Sequence, residues 1–422
     1  MFWQRLRNSP WLLMVLVAFA VRAAVIPFLY HEWMAPFVLE HWAFGRIGRS
    51  LALGHGFGNP LADTGPSALL PPVYPYILAA IFKIFGIYTR TSIVAALALN
   101  SLFSALTCVP VYLLTQASLG DRPAKWAGWA WAFSPYGIYY GADWAWSTCL
   151  VTLLLCWLFL IAWRLEGSVR LRDWLGFGLL TGFAALTEPV VLSVVPLLGA
   201  WTCYRLYRRG LSWRMPATVA LAAMLAVTAP WIVRNYEVFH HFIPMRSGLG
   251  LELYIGNSGD SAHWVDRELH PNHNDAELQE YERMGEWDYM AHKRTQAVAF
   301  IRSHPGWYAV MTLRRVLYTW TGYWSLDRAY LADEQLDPPN IFVATTLSVL
   351  AFLGLRRAFR IDRALAVRFA IVLAFFPLVY YLTHPETYYF RPVDPLIVVL
   401  AIFAIFGKSN LTESTTKDTK AH

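Results

Sequence analysis

Ten apolar runs divide this chain, at 11–30, 92–117, 124–141, 145–163, 173–187, 189–207, 214–233, 341–355, 365–383 and 393–407. A membrane-crossing helix needs about 20 apolar residues, so each run predicts a span, although those at 173–187, 189–207, 341–355 and 393–407 are short and their ends poorly marked. Two long stretches have a different pattern, 31–91 and 234–340. In the first, "LEHWAFGRIGRSLALGHGFGNP" spaces Phe44, Ile47 and Leu51 at helical intervals with Arg46 and Arg49 between them, which predicts an amphipathic helix ending in a glycine turn. Next, "PPVYPYILAAIFKIFG" (71–86) is apolar but short, proline-led and interrupted by Lys83. It predicts a juxtamembrane helix that does not cross. In the second stretch, "HPNHNDAELQEYERMGEWDYMAHKRTQ" is soluble in character, and "HPGWYAVMTLRRVLYTWTGYW" carries Arg314 and Arg315 mid-segment, which predicts an interfacial helix.

Composition agrees with this pattern: 57% hydrophobic residues, 15% charged and 20 Trp belong to the polytopic membrane class. The net charge of +7 needs no nucleic acid to explain it, because Lys and Arg concentrate in cytoplasmic connectors. Arg5 and Arg7, "LGDRPAK", "RLEGSVRLRD", "RLYRRGLSWR", "RRAFRIDR" and the tail from Lys408 all fall on one side if 71–86 does not cross. Both termini are then cytoplasmic, and 31–91 and 234–340 face outward. The expected organisation is an N-terminal membrane module over 1–233 that includes the 31–91 loop, an outer segment over 234–340, C-terminal spans over 341–407 and a disordered tail over 408–422. The basic start and uninterrupted apolar run predict an uncleaved signal anchor. Cys108, Cys149, Cys156 and Cys203 lie in apolar segments and read as packing residues.

The outward side collects the polar residues that bear chemistry. Glu32, Glu40, His41 and Asp63 lie in or beside the first loop, Asp143 in "GADW", Glu188 in "LTEP", Arg234 and Asn235 in "PWIVRNY", and Arg391 in "YYFRPVDP". Ionisable groups at membrane depth need partners or a wet cavity, so their convergence marks one site. Each also has a plainer role: Arg234 as a snorkelling anchor, Asp63 in a turn, Asp394 as a helix cap. His240, His241, His263, His270 and His273 cluster, but their spacing matches no standard ligand pattern, so no metal site is expected. Trp42, Trp131, Trp144, Trp146 and Tyr74 would stack on a sugar or a prenyl chain, or line the membrane interface as such residues do.

Glu40 heads a series that resembles the membrane glycosyltransferases of the GT-C fold, in particular the protein O-mannosyltransferase and lipid A aminoarabinose transferase group. There an acid in the first outer loop precedes an aromatic, a small residue and a glycine, here Glu40, Phe44, Gly48 and Gly54. "PPVYPYILAAIFKIFG", "PWIVRNY" and "YYFRPVDP" resemble the later motifs, in the same order. Three positions depart from the pattern: Glu40 replaces the usual Asp, His41 a common second acid, and "GPSALLPP" lacks the acid or lysine that often precedes the double proline.

The resemblance implies an all-α polytopic fold of about ten spans, with juxtamembrane helices in the first loop and an α-rich outer segment. It implies an inverting transfer of sugar from a polyprenyl phosphate donor to a hydroxyl on a lipid, glycan or protein acceptor, without a cofactor, at the periplasmic face of a bacterial inner membrane. Glu40 would be the base, and Asp143, Glu188, Arg234, Arg391, His41, Asp63 and Tyr74 would bind substrate. A lipid or glycolipid transporter, or an inactive member of the family, is the alternative. A transporter should carry charges through its spans and often an internal repeat, and neither is evident.

Overall fold

The computed structural model describes residues 10–33, 43–62, 65–143, 145–258, 267–325, 328, 331 and 337–406. It is 80% helical, with no strand among the described residues. Helix α1 (Pro10–Trp33) leads to the short α2 (Ala43–Ala52) and α3 (Val73–Phe85). Then come α4 (Arg90–Leu106), α5 (Cys108–Leu119), α6 (Asp121–Ala132), α7 (Pro135–Ala142), α8 (Thr148–Arg164), α9 (Leu171–Thr187), α10 (Val195–Arg208) and α11 (Arg214–Phe239). The 234–340 segment continues with α12 (Leu249–Gly256), α13 (Asp275–Met284), α14 (Glu286–Ser303) and α15 (Pro305–Thr321). Four further helices close the described chain: α16 (Asp337–Ile361), α17 (Arg363–Phe375), α18 (Leu378–Leu382) and α19 (Asp394–Phe406).

Among the described residues, seven helical segments are long and apolar enough to cross a membrane, and all seven fall on expected spans: Pro10–Leu29, Arg90–Leu119, Thr148–Gly167, Pro189–Arg208, Arg214–Phe239, Pro339–Ile361 and Arg363–Leu382. The chain is an integral membrane protein. The other three expected runs are helical but shorter. The run at 124–141 is split, because Ser134 caps α7 through Gly137 N and Pro135 starts it, which ends α6 at Ala132. Helix α9 has 17 residues. Helix α19 has 13, and all but its last two are buried among its neighbours, so it lies inside the bundle.

The short helices of the 31–91 segment behave as their lengths require. At 13 residues α3 reaches about 20 Å, too little to span, and it lies against α2 and α4. Helix α15 leaves Val310, Leu313 and Leu317 exposed and buries a narrow face. Arg314 is exposed, but Arg315, one residue round the helix, is fully buried. Its guanidinium donates to the Gly256 carbonyl, to Asn257 Oδ1 at 3.1 Å and to Tyr381 O at 3.4 Å. A cation thereby caps the C-terminal ends of α12 and α18, where free carbonyls and the helix dipoles favour positive charge.

Two further buried arginines fix the bundle. Arg22, midway along α1, donates to Ser104 Oγ and Gly137 O, both at 2.9 Å, to Ala132 O at 2.8 Å and to Trp131 O at 3.1 Å. It closes the end of α6 with carbonyls and a hydroxyl. At the far end of α8 from Ser147, Glu166 takes in Arg368 from α17, Arg205 at 3.2 Å and Arg209 at 3.8 Å.

Candidate functional site

Glu40, His41, Asp63, Trp42 and Trp144 lie outside the described residues, as do the ends of the chain. Glu32 falls in the last turn of α1. The described residues that follow Glu40 in the chain form a packed frame. Phe44 is buried, and its ring meets Trp146 at 4.5 Å and Tyr74 at 5.4 Å, both edge to face. Gly48 lets α2 lie on α3: a Cβ there would come within 3.0 Å of Leu78 Cβ and 3.2 Å of the Phe82 ring. Gly54, at φ +84, makes the turn after α2 in a backbone conformation natural to glycine. Tyr74 is 1% exposed and donates to Asn100 Oδ1 at 3.1 Å, while Asn100 Nδ2 donates to Trp146 O at 3.0 Å. These contacts make Tyr74 part of the scaffold beneath Trp146.

Arg234 also serves that scaffold. It donates to Ser67 O at 2.7 Å, Phe57 O at 3.3 Å and Asn235 Oδ1 at 2.9 Å, with its guanidinium 5.0 Å from the Trp231 ring centroid and 5.6 Å from that of Phe57. The other side of Ser67 is held by a buried carboxylate from α14. Glu286 accepts from Ser67 Oγ at 2.6 Å, Ala68 N at 2.7 Å, Ser247 Oγ at 2.7 Å and Tyr281 Oη at 3.2 Å. Four donors on one carboxylate tie the 31–91 segment to the 234–340 segment.

Beside Ser247 stands a chain of charges. Arg246 Nη2 reaches Glu252 Oε1 at 2.6 Å, and Glu252 Oε2 lies 2.7 Å from His384 Nε2. Glu188, at the break between α9 and the 3-10 turn Pro189–Ser193, accepts weakly from Ser147 Oγ at 3.4 Å. Burial pushes the Glu188 carboxyl up, opposed by Arg246 and reinforced by Glu252. Burial works the same way on Glu252, but the hydrogen bond from His384 and the charge of Arg246 prevail and hold it at about 2. Burial lowers His270 to about 4, with Glu252 opposing and His273 and His384 adding to the effect. Asp143, half-buried, ends α7 and donates its N–H to Tyr139 O at 2.9 Å. Among the described residues, no three His, Cys, Asp or Glu side chains converge to hold a metal.

Arg391 occupies a second centre, joined to the first by aromatic rings. Trp146 and Tyr388 lie 5.5 Å apart, Tyr388 and Tyr389 4.7 Å, and Tyr389 and His384 5.7 Å. The Arg391 guanidinium sits 3.9 Å from the Tyr136 ring centroid, and its Nη1 is 3.4 Å from Asp394 Oδ2. Burial works against its charge, but Asp394, Tyr136 and Tyr140 raise its pKa, so it stays cationic. Tyr136 Oη in turn donates to Asn340 Oδ1 at 2.5 Å. Arg391 lines two cavities at once. A loop-side pocket is walled by Tyr318, Tyr380, Tyr389, Glu386 and Asn340. An inner cavity within the bundle is lined by Ser104, Trp131, Tyr136, Cys149, Thr152 and Asp394.

The described site thus brings Glu188 and Arg391 to one end of the bundle and withdraws Arg234 and Tyr74 into its support. Sequence reasoning missed Arg246, Glu252, His384, Tyr136 and Glu286. Tyr136 lies seven residues before Asp143 in the same stretch, "SPYGIYYGADWAWST", but was not itself singled out. Glu252 and His384 are 132 positions apart, and nothing local marks either.

Residues 70–233 match the family model described as dolichyl-phosphate-mannose-protein mannosyltransferase. No protein of curated function matches the chain by sequence. Among solved structures, the oligosaccharyltransferase of Archaeoglobus fulgidus, solved with zinc and sulfate, superposes with a TM-score of 0.56 at 12% identity, covering 97% of this chain and 50% of that one. The same organism's oligosaccharyltransferase AglB, in complex with an inhibitory peptide and a dolichol-phosphate, gives 0.55 at 15%, covering 97% and 52%. ArnT from Cupriavidus metallidurans, bound to undecaprenyl phosphate, aligns at 0.41 and 14%, covering 94% and 77%. This chain spans about half the length of the oligosaccharyltransferases it matches. Its fold is the GT-C fold of membrane glycosyltransferases, as the motif series implied.

Proposed function

We propose that this chain is a glycosyltransferase that moves a sugar from a polyprenyl phosphate to an acceptor hydroxyl, with inversion, at the periplasmic face of a bacterial inner membrane. The observation that carries this reading is the pair of half-buried cations, Arg246 and Arg391, whose side chains are 25% and 11% exposed, joined by the 380–391 tyrosines and linked through Tyr388 and Trp146 to Phe44. A departing lipid phosphate needs fixed positive charge where its own charge develops, and Phe44 lies in the first turn of α2, which follows Glu40 in the chain. The family match over 70–233 and the dolichol-phosphate bound by the archaeal oligosaccharyltransferase support a lipid-phosphate donor.

In this reading Glu40 accepts the proton of the acceptor hydroxyl as its oxygen bonds to the anomeric carbon. The bond from that carbon to the phosphate oxygen breaks, and its electron pair stays with the phosphate beside Arg391 and Arg246. Asp143, Glu188, His41 and Asp63 surround the sugar, whereas Arg234 and Tyr74 hold the loop that presents the base. Purified protein incubated with a panel of polyprenyl-phosphate sugars, with products read by mass spectrometry, should yield a transferred sugar. Glu40→Gln keeps shape and hydrogen bonding but removes the proton acceptor, so turnover should fall by about 100-fold or more at unchanged donor affinity. If Glu40→Gln stays active while Glu32→Gln abolishes turnover, the base is Glu32; if both stay active, the carboxylate mechanism is wrong.

A further inference from the structure

We propose that Tyr136, tied to Asn340, determines specificity by keeping water in the inner cavity away from the sugar donor, so that the donor is transferred rather than hydrolysed. This rests on the glycosyltransferase reading. The two cavities share one wall. Arg391 lines both, the Tyr136 ring covers its guanidinium at 3.9 Å from the inner side, and the Tyr136 hydroxyl is fastened to Asn340, which lines the loop-side pocket. The inner cavity is small, with room for about one water. It is edged by Ser104, Thr148 and Thr152, and it borders Arg391 Nε, a buried polar atom without a hydrogen-bond partner, and Asp394 Oδ2, which is ion-paired with Arg391 Nη1 at 3.4 Å but accepts no hydrogen bond. Such atoms in native proteins are met by ordered water where room and polar partners exist.

Water there threatens the chemistry. An activated glycosyl phosphate gives up its sugar to any oxygen nucleophile that reaches the anomeric carbon. If water attacks, its oxygen bonds to that carbon, the bond to the phosphate oxygen breaks with the pair left on phosphate, and the proton passes to the carboxylate that would have served the acceptor. The acceptor and water are distinguished only by access, so the wall at Arg391 decides the product. A tyrosine is well suited to form such a wall, because its ring seals the face of a cation without neutralising it and its hydroxyl locks α7 to α16.

The test uses polyprenyl phosphate mannose labelled in the sugar, supplied to membranes containing the full chain. The ratio of free to acceptor-bound label should rise by about tenfold or more in Tyr136→Leu and in Asn340→Ala, and less in Tyr136→Phe, which keeps the ring. An unchanged ratio with transfer intact in both variants overturns the proposal. A second measurement needs no turnover. With Cys108, Cys156 and Cys203 replaced by alanine, Cys149 in the inner cavity reports access by a small water-soluble thiol reagent added from the outside. Its labelling should accelerate severalfold in Tyr136→Leu and Asn340→Ala, and equal rates would overturn the wall. Should the parent protein consume no donor while Cys149 responds as expected, the glycosyltransferase reading fails for this donor and the wall stands.

Discussion

At the scale of single residues, Glu252 and His270 make the site's response to acid calculable in sign. The Glu252 carboxyl is held at about 2 in the fold against about 4.3 in an unfolded chain, so its contribution to stability is complete above that unfolded value and is lost as pH falls toward 2. His270 behaves as a buried base, held at about 4 against about 6.5. Between those two values the unfolded segment takes up a proton that the folded one resists, so stability rises with pH across that interval. Hydrogen-exchange protection over 267–273, corrected for the intrinsic pH dependence of amide exchange, should therefore fall as pH drops from 6.5 to 4, and His270→Gln should remove most of that fall. Protection that is flat with pH in the parent protein would rule out an imidazole held neutral by the fold. Residues of this kind were only partly legible in the chain. Glu188 and Arg391 stood out because "LTEP" and "YYFRPVDP" place a charge at the end of an apolar run. Arg246, Glu252 and His384 did not, because each becomes informative only through its partner.

At the scale of elements, the closest approaches are set by glycines. A Cβ on Gly178 would collide with the Ala220 carbonyl of α11, and one on Gly182 would come within 2.9 Å of Met224 O. The pair, four residues apart on α9, forms the small-residue stripe by which membrane helices bring their backbones together. Gly176, on the same helix, has nothing within 4 Å. Gly178→Leu should thus lower stability by about 1–3 kcal/mol or more, the range for overpacked sites, while Gly176→Leu should leave the melting temperature in detergent nearly unchanged. Equal melting of the two variants would mean that α9 and α11 do not touch as described. The stripe is visible in "GFGLLTGFAALT", but no local pattern says which helix it meets. Helix existence was legible for the spans, because apolar length alone specifies them, but not for the polar α13 and α14. Helix integrity was less so: the Ser-Pro step at 134–135 breaks an apolar run that hydropathy reads as continuous. The burial of Arg315 on α15 was not legible, because the placing of a cation among helix-end carbonyls leaves no trace in a hydropathy profile.

At the scale of the molecule, the proposed sidedness follows from connector charge and from the position of the site at one end of the bundle, with the Glu166–Arg368–Arg205–Arg209 cluster at the other. In a chain cleared of native cysteines, a cysteine at Asp275 should react with an impermeant reagent from the periplasm, and one at Arg208 only after the cytoplasmic face is opened. The reverse would invert the topology. The buried Arg22 adds a constraint in time. When residues 10–33 leave the ribosome, none of the groups that satisfy the guanidinium beyond its own helix exists yet: Ser104, Trp131, Ala132 and Gly137 are synthesised 82 to 115 positions later. A bare arginine at the centre of a span opposes insertion by about 2.5–3.5 kcal/mol. The rest of this helix, the most apolar of the seven candidate spans, outweighs that cost, so α1 can enter the bilayer with its guanidinium held only by Ala18 O of its own helix. The earliest segment to be made is among the last to have its charge satisfied, and the order of assembly is written into which carbonyls surround one side chain.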